Sequence, residues 1–237
     1  MNQKNYSVHL GGVSLLDKYN LIMTSKYIGP PTPKTKLVEI PGRSGAIDMS
    51  EVLTGRVVYE QREIKIELCA QEKPVNFTVL RSKLQNEFHG KLMQIVFDDD
   101  AAYYWEGRIE VDFENKGALG TVKIKANVNP YKKWVHDTTE EWLWDPFDFE
   151  VGVINNLKDI PVDGSKSVVV VLPEDGCKDD CPIIQTTADM SVKYENKNIS
   201  LKKGETTVYD FVFHPGENTL VFNGKGTVSI IYRGGSL

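Results

Sequence analysis

The sequence predicts a mainly β protein of two domains, and three features carry that reading. Apolar and polar residues alternate over many short stretches bounded by polar or glycine-rich turns. One stretch alone repeats its apolar residues at helical spacing, and the alternation lapses near residue 130. The first domain is expected over residues 1–135, β-rich with one packed helix, and the second over 136–237 as a β-sandwich.

The elements follow in order. Tyr6 to Leu10 alternates and stops at Gly11-Gly12, a turn with permissive backbone; Leu21-Ile22-Met23 begins another strand. Gly29-Pro30-Pro31-Thr32-Pro33 cannot sit in a central strand, because proline lacks the amide donor and restricts the residue before it. It reads as a stiff arm leaving the sheet, with Pro30, Pro31 and Pro33 as its candidate residues. Lys36 to Ile40 is a strand candidate closed by Pro41-Gly42-Arg43-Ser44-Gly45, whose glycines allow a tight turn that presents Arg43.

Between Val57 and Cys69 the later part alternates, and Ile64, Ile66 and Leu68 should face a core. Pro74 suits a first helical turn; Phe77, Leu80, Leu84 and Phe88 then share a face until Gly90 ends the helix. Strands are expected at Lys91 to Phe97, Tyr103 to Phe113 and Gly120 to Val128, joined through Asp98-Asp99-Asp100 and Asn115-Lys116-Gly117. The pattern lapses from Asn129-Pro130-Tyr131-Lys132-Lys133 to about Asp163. It resumes at Ser167 to Val171, Met190 to Tyr194, Thr207 to Phe213, Thr219 to Phe222 and Thr227 to Tyr232, with turns at Asn196 to Asn198, Gly216 to Asn218 and Asn223 to Gly226.

Composition narrows the function classes. With 237 residues, 41% hydrophobic and 26% charged, the chain can bury a real core. A net charge of -5 and a pI near 5.5 give no general attraction to nucleic acid. The start, Met1 to Tyr6, lacks the features of a secretory signal, and no apolar run reaches spanning length, so synthesis and folding in the cytoplasm are expected. The three cysteines do not form a dense disulfide framework: Cys69 lies in a strand, while Cys177 and Cys181 flank an acidic loop.

No catalytic residue, cofactor or metal is called for. The four histidines, His9, His89, His136 and His214, fall in unrelated settings. Asp98 to Asp100 lacks the alternate spacing and terminal glutamate of a calcium loop and reads as a solvated turn. Cys177 and Cys181 supply two of the four ligands a structural zinc site needs, so free thiols or a local bridge are expected. Gly42, Arg43 and Gly45 lack the lysine and hydroxyl pair of a phosphate loop; a turn against a neighbouring subunit is the reading, with a plain surface turn as the alternative. Trp134, Trp142, Trp144, Phe147 and Phe149 are expected to pack in a core or between domains, with saccharide stacking by Trp142 and Trp144 as the alternative. Glu140-Glu141, adjacent in one linker, do not establish the flanking carboxylates of a glycan hydrolase.

Ile40-Pro41-Gly42-Arg43-Ser44-Gly45-Ala46-Ile47-Asp48-Met49-Ser50-Glu51, followed by Leu53-Thr54-Gly55 and Tyr59, resembles the amino-terminal signature of phage distal tail proteins. That family belongs to bacteriophages with long non-contractile tails and to their prophage relatives. The subsequent order of strands, one helix, further strands and an Asn129-Pro130-Tyr131-Lys132 ending resembles the family's whole first domain. The closing Gly216 to Phe222 and Val228 to Gly235 resemble its terminal sandwich, a motif shared with many jelly-roll modules.

The resemblance implies a barrel-like first domain that forms a hexameric ring continuing the tail tube. It also implies a second domain projecting at the baseplate, shaped as a galectin-like or carbohydrate-module-like jelly roll. The partners implied are the tube protein, tail-tip and receptor-binding proteins and the tape-measure protein, in a virion tail tip assembled in the bacterial cytoplasm. No nucleic acid or membrane insertion is expected. Pro41, Gly42, Arg43 and Gly45 become candidate subunit contacts, and the proline arm could add to a neighbour's sheet edge. An adhesion module, in which the sandwich binds a host surface saccharide and the first domain multimerises it, is the alternative.

Overall fold

The computed structural model describes residues 7–70, 77–116, 119–140, 155–172 and 181–237. The fold is mainly β, with 55% of the described residues in strands and 10% in helices. Two compact units divide the chain: Met1–Asp100 with Tyr104–Lys132, and Ala101–Tyr103 with Lys133–Leu237.

The first unit contains β1 (Val8–Leu10), β2 (Val13–Ser14), α1 (Leu15–Tyr19), β3 (Leu21–Ile28), β4 (Leu37–Glu39), β5 (Ala46–Asp48), β6 (Arg62–Ala70), α2 (Phe77–Phe88), β7 (Leu92–Phe97), β8 (Tyr103–Lys116) from its second residue and β9 (Leu119–Val128). The main sheet runs in the order β2-β1-β7-β8-β9-β6-β3, and β4 and β5 form a separate two-stranded sheet. Alternation dictates the core: Ile64, Ile66 and Leu68 of β6 join Ile109 and Val111 of β8 and Val122, Ile124 and Ala126 of β9. Their charged neighbours form the other face, where Lys123 pairs with Glu67 at 3.7 Å and with Glu114.

The expected helix forms as α2, with Leu84 and Phe88 buried and Leu80 packed against the core. Phe77 meets Phe113 edge-on at 5.8 Å and lies over Gly120, where a β carbon would sit 2.1 Å from its ring. Gly90, at φ +77, terminates the helical turn as expected. Pro74 lies outside the described residues. A second helix, α1, corrects the expectation of one. It is five residues long, too short to show a period. Its ends carry the signals: the Ser14 hydroxyl accepts the Asp17 N–H at 3.1 Å, and Asn20 closes it at φ 54.

The second unit takes in β10 (Lys132–Trp134) from its second residue, then β11 (Ile160–Leu172), β12 (Ile183–Thr186), β13 (Met190–Tyr194), β14 (Lys197–Leu201), β15 (Gly204–Thr207), β16 (Gly216–Ile231) and β17 (Gly235–Ser236). Six strands make one sheet in the order β14-β13-β16-β12-β15, with β11 also paired to β16. Here β16 is one 16-residue strand where two strands and two turns were expected. Its Leu220–Gly224 stretch pairs with β13 and its Val228–Ile231 stretch with β12. The strand changes partner at Gly224 and Gly226, where β carbons would meet Met190 at 2.5 Å and Thr187 at 2.8 Å. These strands share one core, to which Phe222, Ile230, Ile184, Val192 and Val170 all contribute.

The strand expected over Thr207 to Phe213 stops at Thr207. Beyond it Val208, Phe211 and Phe213 are still buried, so the segment fills the core without joining a ladder. Asn218, 2% exposed, organises this end of the unit. Its amide donates to the carbonyls of His214, Gly216 and Val170, and its oxygen accepts from the Tyr194 hydroxyl and the His214 N–H. Buried Thr138 plays a similar part at the linker, donating to the Ile230 carbonyl at 2.6 Å and accepting from the Tyr232 N–H at 3.0 Å.

Candidate functional site

Between β3 and β6 the chain leaves the first unit's sheet as an arm that begins where the prolines predict. Gly29, still buried, donates to the Glu63 carbonyl at 2.8 Å. Arg62 fastens this root: Nε donates to the Gly29 carbonyl at 2.7 Å, Nη1 to the Pro130 carbonyl at 3.3 Å, and the guanidinium lies 4.8 Å from the Trp105 ring. Burial lowers the pKa of this guanidinium, so the stacked ring and carbonyls compensate a real desolvation cost.

The two sides of the arm then zip together. Pro33 bridges Tyr59, Lys34 donates to the Val58 carbonyl at 2.8 Å and Glu60 to the Thr32 carbonyl at 2.8 Å. The Tyr59 ring stands edge-on to Tyr131 at 6.1 Å. Further out, β4 pairs with β5 in the register Leu37↔Asp48, Val38↔Ile47 and Glu39↔Ala46. Ser50 braces this hairpin: its hydroxyl accepts the Lys36 N–H at 2.8 Å and donates to the Asp48 carboxylate, which also accepts the Ser50 N–H. Those two bonds hold the Asp48 carboxyl below the usual range.

Pro41, Gly42, Arg43 and Gly45 are all exposed at the hairpin's tip. Arg43 donates its N–H to the Ile40 carbonyl at 3.1 Å, and Gly42 and Gly45 take φ +81 and +76, as the spacing of glycines requires. Pro30 and Pro33 are exposed and Pro31 half-buried, so the two predicted groups belong to one excursion.

A second tip follows. The stretch Met49 to Gly55 is closed by bonds from Thr54 and Gly55 to the Glu51 carbonyl at 3.2 and 2.7 Å, and the Thr54 hydroxyl donates to the Arg56 carbonyl at 2.7 Å. This turn holds Leu53 91% and Val52 64% exposed. Leu37, Ile40, Met49 and Val57 are exposed as well, and no residue of 30–61 is buried. Covering one such aliphatic side chain contributes about 1.5–3 kcal/mol, which the arm forgoes when uncovered. The sequence does not single out Val52 and Leu53 as an exposed apolar pair, because neither period marks them.

The other sequence candidates resolve differently. Asp98, Asp99 and Asp100 form a 3-10 turn and each takes a separate partner: His9 at 2.8 Å, Lys26, and Lys132 at 2.7 Å. His89 accepts the Val111 N–H, His136 pairs with Glu140, and His214 lies 3.5 Å from Glu195. These histidines thus sit at separate places with separate partners. Trp134 is half-buried against Gly234, where a β carbon would meet its ring at 2.6 Å. Cys69 and Cys181 are half-buried thiols. Trp142, Trp144, Phe147, Phe149, Glu141 and Cys177 lie outside the described residues.

No family model and no curated protein matches the sequence. In fold, the chain is similar to a protein of known structure titled as SPP1 Dit (gp 19.1), "a Paradigm of Hub Adsorption Apparatus in Gram-positive Infecting Phages". The likeness has a TM-score of 0.55 at 11% identity and takes in 96% of this chain and 98% of that one, so what the two share is a fold over nearly their whole lengths.

Proposed function

We propose that this chain is a structural hub protein of a phage or prophage tail tip, acting by assembly and not by catalysis. Six copies form a ring that joins the tail tube to the tail-tip and receptor-binding proteins during host attachment, with the tape-measure protein as a further neighbour. The observation that carries the proposal is the fold likeness to a phage hub adsorption protein over 96% of the chain. The exposed arm supports it: a segment with apolar side chains and no core of its own fits a subunit contact, and a ring requires a different patch on each side of every copy. Pro41, Gly42, Arg43 and Gly45 at the hairpin tip, and the stiff start at Pro30, Pro31 and Pro33, are the contacts proposed.

Light scattering over a range of concentrations, followed by negative-stain imaging, tests the ring. A species of about six times the 26.7 kDa chain is expected, alone or after adding tube or tip proteins. Arg43→Glu should reduce that species. A chain that stays monomeric under all these conditions overturns the proposal.

A further inference from the structure

On the first unit, the end of α1 meets the last turns of α2 across an open cleft of about 560 Å³. Tyr19 forms its apolar floor and packs edge-on to Phe88 at 6.2 Å. Lys18, Lys83 and Asn86 line it with Glu87. Glu87 is already engaged, accepting from Lys18 at 2.6 Å and from the Tyr19 hydroxyl. No ion pair of Lys83 occurs among the described residues, so the rim presents net positive charge.

The arm's second tip has the complementary features. Leu53 projects almost fully exposed beside Val52, and the exposed Glu51 carboxylate stands two residues away; Arg56, at the foot of the turn, is half-buried. The cleft lies at the start of β3 and the arm leaves after its end. Eight residues of strand separate them, about 26 Å at roughly 3.3 Å per residue. The cleft and the tip are two unlike patches on one unit, which is what a repeating head-to-tail contact needs.

We infer that the Val52-Leu53 tip of one copy seats on Tyr19 in the cleft of the next copy, with Glu51 facing Lys83. This contact rests on the proposed ring and specifies which surfaces meet in it. Leucine and valine supply apolar cover for the Tyr19 ring, and the carboxylate meets a lysine that makes no ion pair among the described residues.

The full chain carrying both Leu53→Cys and Asn86→Cys tests the contact by oxidation at rising protein concentration. Both positions are exposed, so folding is retained, and thermal unfolding of each variant checks it. The expected result is a ladder of disulfide-linked multimers on a non-reducing gel, absent from either single variant. Lys83→Glu should weaken association roughly tenfold per contact, and Glu51→Lys with Lys83→Glu in one chain should restore it. Ring-sized particles by light scattering with no ladder overturn this contact and leave the ring standing. A chain monomeric by both measures overturns both, and a ladder given by a single variant overturns the pairing of these two surfaces.

Discussion

Replacing Asn218 by alanine should damage the second unit more than its size suggests. The side chain is buried and makes bonds in five directions, so the substitution removes one acceptor from two donors and one donor group from three carbonyls. The His214 N–H, donating at 2.8 Å, has no other acceptor among the described residues, while the Tyr194 hydroxyl can turn to the Val212 carbonyl at 3.3 Å. An unsatisfied buried donor costs about 1–3 kcal/mol, and carbonyls tolerate the loss better. One full penalty and one partial penalty, with the small cavity added, give about 2–4 kcal/mol. For a unit the size of Lys133–Leu237 this lowers the melting temperature by roughly 10–20 °C. Tyr194→Phe leaves Asn218 its bond from the His214 N–H and should cost only about 1 kcal/mol. Calorimetry with hydrogen exchange on the amides of β13 and β16 reads both variants. An Asn218→Ala protein melting within about 2 °C of the parent, or a Tyr194→Phe protein that loses as much, would refute the reasoning.

Three further outcomes follow from the packing and charges. Gly120→Ala places a methyl 2.1 Å from the Phe77 ring and should destabilise the first unit by about 1–3 kcal/mol. Adding Phe77→Ala should remove most of that increment in a double-mutant cycle, and strictly additive losses would show that the ring moves aside freely. Arg62→Ala removes two bonds and the stacking on Trp105 at the arm's root, so trypsin should cut at Arg43 or Arg56 roughly tenfold faster with the main sheet intact; an unchanged cutting rate removes Arg62 as the fastener. Tyr19 and Tyr194 are each pushed up to about 12, chiefly by burial. Because the folded state holds these protons more tightly than the unfolded chain, their contribution is complete below pH 10 and is lost as pH rises towards 12. Base titration of stability should show that fall, and Tyr19→Phe and Tyr194→Phe together should flatten it; an equal fall in the double variant would assign the loss to other groups.

Legibility in the sequence tracked the source of each residue's cover. Ile64, Ile66 and Leu68 were readable because a strand with one wet face must alternate, and the helix over Phe77 to Phe88 because one face repeats for three turns. The proline run marked the arm's beginning for a reason internal to the backbone, since a missing N–H and a fixed φ act whatever surrounds them. Other features depended on distant neighbours. Nothing local says that Gly224 and Gly226 are close-approach points inside one strand and not a turn; their meaning comes from Met190 and Thr187, far off in the chain. Val208, Phe211 and Phe213 belong to an apolar-rich stretch that imitates a strand, yet the strand ends at Thr207 and their side chains fill the core. Asn218 looked like turn chemistry when it is the hydrogen-bonding centre of a buried end. Leu53 is the opposite case. Period-two and period-3.6 patterns record burial against the chain's own elements, so an apolar residue held 91% exposed on a hydrogen-bonded turn falls outside both. At Val52 and Leu53 the turn around Thr54 fixes the backbone by its own hydrogen bonds, so exposed apolar side chains sit there without any period to announce them.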